Sequence, residues 1–491
     1  MKNHYQLLLA CLFSFQSNAQ SQFYSAPVTL VDTYLEDSVH VVGRLDLDFP
    51  VDGNVFVQFD GEGYGSPNDR IIVAANIDPD WDTNDGNVNF MSSIPGERHC
   101  FSHTRTFPVT AGHYSFYAVA HNYVDVEGAG IATIYGTLSV EFVPIQSEVK
   151  VASSIKVGDF DATTPVAFDS IMVEATGAGK IEVRLNGATD CNQGDVIVVA
   201  VTDTKNWNYS DPGGIALETN ISFYPYVTLS TTRVFDVPGA GTYKYYAMVQ
   251  RGYEEEGNGH FYNYAHLHAR YYPTTSTNVL KSKVVARENL NLSTGLIILD
   301  SLRLDVTSPG KVEVRFDGAL KSPIGQSILL AANNKPSYEL EGGSVILQTI
   351  DNDVDRHPFV HTQVFDVLPG TNTFYVMAQN YLGSGPATID LHGNFLVKYY
   401  PESVVSSNDE HFAELPFEVW PNPATGLIRI QYQDTNGPMT VSILDLHGHV
   451  IGQKRTMVSG SEMEISTRPS GIYIVQLSNG KEIGYKKLVK E

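Results

Sequence analysis

Cysteine is scarce in this chain, 3 in 491 residues, which is too few for a disulfide framework. Cys11 lies in the N-terminal apolar stretch, and the other two, Cys100 and Cys191, have no pairing that the sequence supports. Positive charge is also in short supply. Against 55 Asp and Glu stand 32 Lys and Arg, a net charge of −23, so the surface repels nucleic acid and anionic membranes and neither is expected as a partner. Divalent cations are the more compatible company. No stretch beyond the first twenty residues has the unbroken apolar length of a membrane helix, so the chain is not expected to be transmembrane. No window sustains a helical period. The motifs of several enzyme classes are missing too: there is no Gly-x-Ser-x-Gly elbow, no glycine loop for phosphate and no His-Glu-x-x-His. Carboxylates abound, but nothing in the sequence sets the separation a glycosidase pair needs, and no catalytic residue is assigned.

What is present is repetition. Gly53-Asn54-Val55-Phe56-Val57-Gln58-Phe59-Asp60-Gly61 returns as Gly179 to Gly187 and again as Gly310 to Gly318. In each copy the odd members (Val55, Val57, Phe59) read as core-facing and the even members (Phe56, Gln58, Asp60) as outward-facing, with the Asp/Asn-Gly pair closing the strand in a tight turn. Arg70 to Ala75 recurs as Asp195 to Ala200 and Ser327 to Ala332, nearly unbroken apolar runs of the kind covered on both faces. Each copy ends in a strand running to a proline, Pro144, Pro273 and Pro401. A length of 491 residues suits roughly three domains of about 150 residues, and the repeat spacing suits one sandwich of short strands per copy. The expected fold class is all-β: three tandem β-sandwich repeats, jelly-roll or immunoglobulin-like, at 23–145, 146–274 and 279–401. A linker at 402–416 and a small C-terminal β-sandwich at 417–491 follow. The repeats are expected to be self-sufficient blocks, and they match no family by their residues.

The two ends of the chain carry addresses. Met1-Lys2-Asn3-His4, an apolar core from Leu7 to Phe15 and the small residues Ser17-Asn18-Ala19 read as a signal peptide spanning 1–19, cut between Ala19 and Gln20. The tail opens Phe417-Glu418-Val419-Trp420-Pro421-Asn422-Pro423-Ala424-Thr425-Gly426, continues through Val441-Ser442-Ile443-Leu444-Asp445-Leu446-His447-Gly448, and ends with Gly471-Ile472-Tyr473 and Lys486-Lys487-Leu488-Val489. These blocks, in this order, resemble the type A C-terminal sorting domain of the type IX (Por) secretion system of Bacteroidota. The resemblance implies a secreted or surface-attached protein, partnered during export by the translocon and its sorting peptidase. It also implies that Trp420, Pro421, Asn422, Pro423, Gly426, Asp445, Gly448, Gly471, Tyr473, Lys486 and Lys487 carry the signal. The tail holds 8 basic and 7 acidic residues, so the acidity belongs to the repeats. Alternating apolar residues at Leu427 to Tyr432, Val441 to Leu446 and Tyr473 to Leu477 read as strands, and Pro421 and Pro423 place the opening segment along an edge.

Several residue sets are candidates for binding. Tyr117 and His121 share one strand face, as do Tyr246 and Gln250, and Tyr375 and Gln379. A ring beside a hydrogen-bonding side chain suits a sugar or peptide, although a second core layer with a polar rim has the same pattern. Asp78, Asp80, Asp82, Asn84 and Asp85 supply hard oxygen ligands for calcium, but the glycine comes one residue late and no bidentate Glu closes the loop. A solvated turn pinned by Trp81 is the alternative, and no other cofactor is implied. His99 and His103, matched by His357 and His361, are about 13 Å apart if they lie on a strand, too far for one ion. His266 and His268 lie two apart with His260 upstream, a spacing at which two imidazoles can share a metal and which loosely resembles the first metal motif of cupins. No glutamate follows within the next several residues, however, and an exposed histidine face on a terminal strand is the favoured reading. Asp37-Ser38-Val39, Asp169-Ser170-Ile171 and Asp300-Ser301-Leu302 resemble the O-glycosylation acceptor of Bacteroidota, but only the last two align across repeats, which favours ordinary strand entry. Two function classes remain: a secreted or surface-attached protein whose tandem sandwiches act as a binding, adhesion or structural module, spacers presenting repeated faces to an extracellular glycan or protein, or a secreted hydrolase with a site built from loops. Repetition with changing polar residues favours the first.

Overall fold

The computed structural model describes residues 21–35, 38–67, 69–80, 88–91, 98–122, 130–191, 196–211, 213–218, 226–252, 260–323, 326–338, 345–348, 356–381, 386–402, 417–432, 439–444, 452, 455–478 and 483–491. The expected signal peptide with Ala19 and Gln20 lies outside them, as do Asp37, Trp81, Asp82, Asn84, Asp85, Asp445 and Gly448. Among the described residues every regular element is a strand, and they fall into two compact units, one ending at Glu402 and the other beginning beyond it.

Period-2 alternation with β-branched and aromatic residues builds the same eight strands three times. The first repeat comprises β1 (Gln22–Tyr34), β2 (His40–Phe49), β3 (Gly53–Gly65), β4 (Arg70–Asn76), β5 (Val88–Met91), β6 (His99–Val109), β7 (Gly112–Asn122) and β8 (Ile131–Pro144). They pair as β1-β8-β3-β6 and β2-β7-β4-β5. The second comprises β9 (Lys150–Asp161), β10 (Val166–Ala175), β11 (Gly179–Cys191), β12 (Val196–Thr202), β13 (Gly214–Glu218), β14 (Tyr226–Val237), β15 (Gly241–Arg251) and β16 (His260–Pro273). The third comprises β17 (Val279–Leu292), β18 (Ile297–Val306), β19 (Gly310–Lys321), β20 (Ser327–Asn333), β21 (Val345–Gln348), β22 (Arg356–Val367), β23 (Gly370–Asn380) and β24 (Ala387–Pro401). Their sheets, β9-β16-β11-β14 with β10-β15-β12-β13 and β17-β24-β19-β22 with β18-β23-β20-β21, repeat the order of the first. Of the two topologies the sequence allows, this is the jelly roll. Each repeat closes on its own apolar core, centred on Val55, Val57 and Phe59, on Ile181, Val183 and Leu185, and on Val312, Val314 and Phe316.

Two expectations fail here. The Asp/Asn-Gly pairs do not turn the chain: β3, β11 and β19 run straight through Gly61, Gly187 and Gly318. Glycine is needed because the neighbouring strand passes so close that an added Cβ would lie 2.2 Å from the Tyr135 carbonyl oxygen at Gly61 and 2.1 Å from that of His392 at Gly318. The even members, expected to be outward-facing, do leave their own core but do not reach water. Phe56, Gln58 and Asp60 are buried, as are Glu182, Arg184 and Asn186 and then Glu313, Arg315 and Asp317. The repeats are therefore not self-sufficient blocks. They pack in a ring, β5 against β14, β13 against β22 and β21 against β6. The outer faces of β3, β11 and β19 meet in the middle, over an apolar floor that Phe56, Val143, Tyr272, Leu280 and Leu396 draw from all three repeats.

That shared interior is ionic. Lys398 Nζ lies 3.2 Å from a Glu141 oxygen, 3.0 Å from one of Glu182 and 3.1 Å from one of Glu313. Arg270 bonds Glu141 and, at 2.7 Å, Glu182. Arg184 reaches Glu182 at 2.6 Å, Glu313 at 3.1 Å and the Gln58 carbonyl. The Tyr272 hydroxyl donates to Glu141, and that of Tyr400 to Glu141 and Glu313. One layer along the strands, Arg315 bonds Asp60 and Asp317, while Thr232 donates to Asp317 at 2.6 Å and Ser102 to Asp60 at 2.6 Å. Burial opposes ionisation of Glu182, but Arg270, Lys398 and Arg184 outweigh it and hold the carboxyl well below the usual carboxylate range. For Glu313 burial is likewise outweighed, by Lys398 and Arg184, and the carboxyl comes down to about 2. An interior of this kind is tolerated because each charge meets several opposite partners at once.

The C-terminal unit is a second, smaller sandwich. Strands β25 (Phe417–Trp420), β26 (Leu427–Tyr432), β27 (Met439–Leu444), β28 (Arg455–Met457), β29 (Ser461–Glu464), β30 (Gly471–Ser478) and β31 (Ile483–Lys490) pair as β25-β26-β29 and β28-β27-β30-β31. Ile428, Ile430, Val441, Ile443, Val475, Leu477 and Leu488 fill its core. The opening strand β25 lies at a sheet edge, as the two prolines require.

Candidate functional site

The described residues that the resemblance assigns to the sorting signal lie on the C-terminal unit, on β25, β30, β31 and the segment after β25. Trp420 is 41% exposed, its ring covered by the Arg429 guanidinium at 4.7 Å. The Trp420–Pro421 and Asn422–Pro423 bonds are cis. Asn422 clamps this segment to the last strand: Nδ2 donates to the Lys487 carbonyl at 2.6 Å, and Oδ1 accepts the Val489 N–H at 2.8 Å. The Ala424 N–H donates to the Val489 carbonyl and the Glu491 N–H to that of Ala424. Gly426 accepts the Ile465 N–H, Gly471 opens β30, and the Tyr473 hydroxyl donates to the Pro469 carbonyl at 2.8 Å. Lys486 and Lys487 are exposed on β31.

On the repeats, Tyr117, His121, Tyr246, Gln250, Tyr375 and Gln379 lie half-buried on the outer sheets, away from the shared interior. Arg44 sits 5.6 Å from the Tyr117 ring, and Lys205 and Lys244 flank that of Tyr246 at 5.5 and 5.4 Å. Between the ring and the amide, Met248 is covered by Trp207, and Met377 packs with Tyr338. The amides are committed to the segments that cover them. Gln250 Oε1 accepts the Tyr209 N–H at 2.9 Å, and Gln379 Oε1 accepts the Tyr338 hydroxyl at 2.6 Å.

Of the calcium candidates, Asp78 and Asp80 are exposed, and the Asp80 carbonyl accepts Asn76 Nδ2 at 2.8 Å. Among the described residues no cluster of three His, Cys, Asp or Glu is placed to hold a metal. His103 Nδ1 accepts the Ala75 N–H at 2.9 Å and His361 Nδ1 that of Ala332 at 2.8 Å, so each ties its strand to the opposite sheet of its own sandwich. His266 and His268 do not form an exposed face. Strand β16 lies inside its sheet, and both rings are buried against the first repeat. His268 Nε2 faces the Thr104 carbonyl and its Nδ1 the Thr106 hydroxyl, both at 3.1 Å. Burial lowers both, with Arg105 adding to it at His266, which falls to about 3; burial alone takes His361 to about 3. Cys100 is buried, and burial pushes its thiol up, away from reactivity. Asp169 and Asp300 sit beside register shifts in β10 and β18, each accepting the N–H of the following serine at 2.7 Å.

The sequence did not point to the cleft where the second repeat meets the third. It encloses about 640 Å³, within the range of small-molecule sites. Val198 of β12 and Val284 and Ala286 of β17 give it an apolar side, and Tyr209 and Asp211 stand on one wall. Lys321, Arg356, Asp390 and His392 stand on the other. Gln250 belongs to this site indirectly, because it holds the Tyr209 backbone. The residues lie on both sides of a junction between repeats, far apart in the chain, and no local spacing brings them together.

No curated protein matches the chain. Among solved structures, the STIV MCP is 11% identical over 52% of this chain and 99% of that one, with a TM-score of 0.19. PNGF-II in space group C2 is 9% identical over 71% and 98%, with a TM-score of 0.22. A protein from the triple jelly roll and turret assembly of an archaeal virus is 10% identical over 77% and 90%, with a TM-score of 0.17. At these TM-scores none of the three bears on architecture or activity. The end of the chain is different: residues 418–491 match the family of secretion system C-terminal sorting domains, so the protein ends in a sorting domain of the type IX secretion system and is a substrate for export out of the cell.

Proposed function

We propose that this is a Bacteroidota surface protein that crosses the inner membrane by its signal peptide, cut between Ala19 and Gln20, and the outer membrane by its sorting domain. Outside the cell its three jelly rolls act as one rigid binding or adhesion module. The observation that carries this reading is the buried ionic interior, in which Lys398 of the third repeat joins Glu141 of the first to Glu182 of the second. Repeats joined in this way cannot serve as a flexible string of spacers; they hold their outer surfaces and junctions in fixed relation, as recognition of an extended ligand requires. The polar residues that differ between repeats at the junctions fit recognition better than a reaction copied three times. Deleting Phe417 to Glu491 is expected to leave folded passenger in the periplasm, assayed by cell fractionation and surface proteolysis. Normal surface delivery of the truncated chain would overturn the export half of the proposal.

A further inference from the structure

The first and third repeats present the same strand positions at their junctions but fill them differently. By register, Glu62, Tyr64, Arg98 and Tyr135 of the first repeat correspond to Ala319, Lys321, Arg356 and His392 of the third. In the first repeat the place is occupied by the protein itself. Arg98 bonds Glu62 at 2.5 Å and lies 5.3 Å from the Tyr64 ring and 5.8 Å from that of Tyr135. In the third repeat alanine replaces the glutamate, and neither tyrosine is present. The cleft of about 640 Å³ lies there.

Its lining specifies a chemistry. Lys321 and Arg356 bring two positive charges, and Asp211 and Asp390 bring two negative ones. An anion would meet two carboxylates, on a molecule of net charge −23, and a cation would meet a lysine and an arginine. A neutral ligand rich in hydroxyls has no such conflict, because each hydroxyl both donates and accepts and can use either kind of wall. Asp390 and Lys321 face each other across β24 and β19, an acceptor beside a donor. Val284, 64% exposed, and the exposed Ala286 offer an apolar shelf for the C–H face of a ring. The site is also held in shape before any ligand arrives. Asp390 Oδ1 accepts the Asn289 N–H at 2.7 Å, Asp211 Oδ2 accepts the Asn208 N–H at 2.9 Å, and Gln250 fixes Tyr209. Preformed sites lose less entropy on binding.

We propose that this cleft binds an uncharged sugar unit of an extracellular glycan. The proposal rests on the binding reading above and names its site and ligand class. The test titrates the full-length chain, by calorimetry, with cello-, xylo-, malto- and manno-tetraose, and with oligogalacturonate and chitosan oligomers as charged controls. Ala286→Trp fills the cleft from an exposed position, and its unfolding midpoint reports whether it folds. Saturable binding to at least one neutral oligomer, weakened about tenfold or more in Ala286→Trp at an unchanged midpoint, supports the site. Binding of the charged oligomers alone, binding that survives the substitution, or no binding to any neutral oligomer overturns it. Adhesion of cells to glycan-coated surfaces separates the two claims. If cells lacking the protein fail to adhere while Ala286→Trp cells adhere normally, the cleft falls and the adhesion reading stands; if cells lacking the protein adhere normally, adhesion falls.

Discussion

Replacing Lys398 by methionine tests the shared interior directly. The ammonium is fully buried and within 3.2 Å of oxygens from Glu141, Glu182 and Glu313, one carboxylate from each repeat. Methionine keeps most of the volume and leaves those three acids to Arg184 and Arg270. Breaking a buried ionic contact from one side costs about 3–5 kcal/mol. The direction at Glu313 agrees: burial opposes its charge, and Lys398 is the first of the cations that bring the carboxyl down to about 2. At about 2.1 cal/mol/K per residue over the roughly 380 residues of this unit, a loss of about 4 kcal/mol lowers the melting temperature by about 5 °C. Scanning calorimetry and urea unfolding of the full chain at pH 7 read both quantities, with the three repeats expected to melt in one transition. The loss also depends on pH. In the wild type Glu313 has a folded pKa below its unfolded value of 4.5, so its contribution is present above that pH and fades as the pH falls toward 2. In the variant burial acts with one cation fewer and the folded value moves up, so the Glu313 part of the gap between the two proteins narrows as the pH falls through that raised value toward 2. A loss under about 1 kcal/mol, or separate transitions of which only the third repeat's moves, would refute the idea that the interior binds the repeats into one unit.

Three further outcomes follow from named contacts. His266 and His361 both fall to about 3, and His268 lies well below 6.5, so the unfolded chain takes up protons below pH 6.5 that the folded chain refuses, at His266 and His361 until about pH 3. Stability should therefore fall between these limits with a slope approaching roughly 4 kcal/mol per pH unit, and urea midpoints that do not change from pH 7 to 5 would contradict it. Asn422→Ala removes both bonds that clamp the opening of the sorting domain to Lys487 and Val489, and should cost the C-terminal unit about 1–3 kcal/mol, read by amide hydrogen exchange of β31. Gly318→Ala places a methyl 2.1 Å from the His392 carbonyl oxygen. It should destabilise the passenger by about 1–3 kcal/mol or more, whereas Gly370→Ala, with nothing within 4 Å, should be strained only by its φ of 130°.

The sequence made some layers of this molecule legible and hid others. Strand identity was readable because alternation is local: Val312, Val314 and Phe316 declare one face of β19 without help from the rest of the chain. The sorting domain was readable because its segments are fixed in type and order. The turn assigned to Asp60-Gly61 was wrong because an Asp-Gly pair has two uses. Here the glycine lets the Tyr135 backbone approach, and nothing in the residues around it distinguishes that from a reversal. The cleft was not readable, since its two walls come from different repeats.

The hidden interior is the instructive case. Glu182 and Arg184, or Glu313 and Arg315, alternate with apolar residues as a solvated strand face does, and a single strand cannot tell water from another repeat. The pairing could have raised the question. Glu182 faces Arg270 and Glu313 faces Lys398 across their sheets, and Tyr272 and Tyr400 follow two residues along the same outward face. A solvated face has little use for large tyrosines beside matched charges, whereas a face that must be buried without becoming apolar needs both: rings to exclude water, and hydroxyls to reach the carboxylates. Phe56 stands where the other two repeats have glutamate, and Gln58 where they have arginine. The first repeat thus brings fewer charges to the centre, and its Glu141 draws Arg270 from the second repeat and Lys398 from the third. Three identical copies would have placed three like charges together at each level. Divergence among the copies is what allows a single chain to close this interior, and it also sets the lining of the cleft between the second and third repeats.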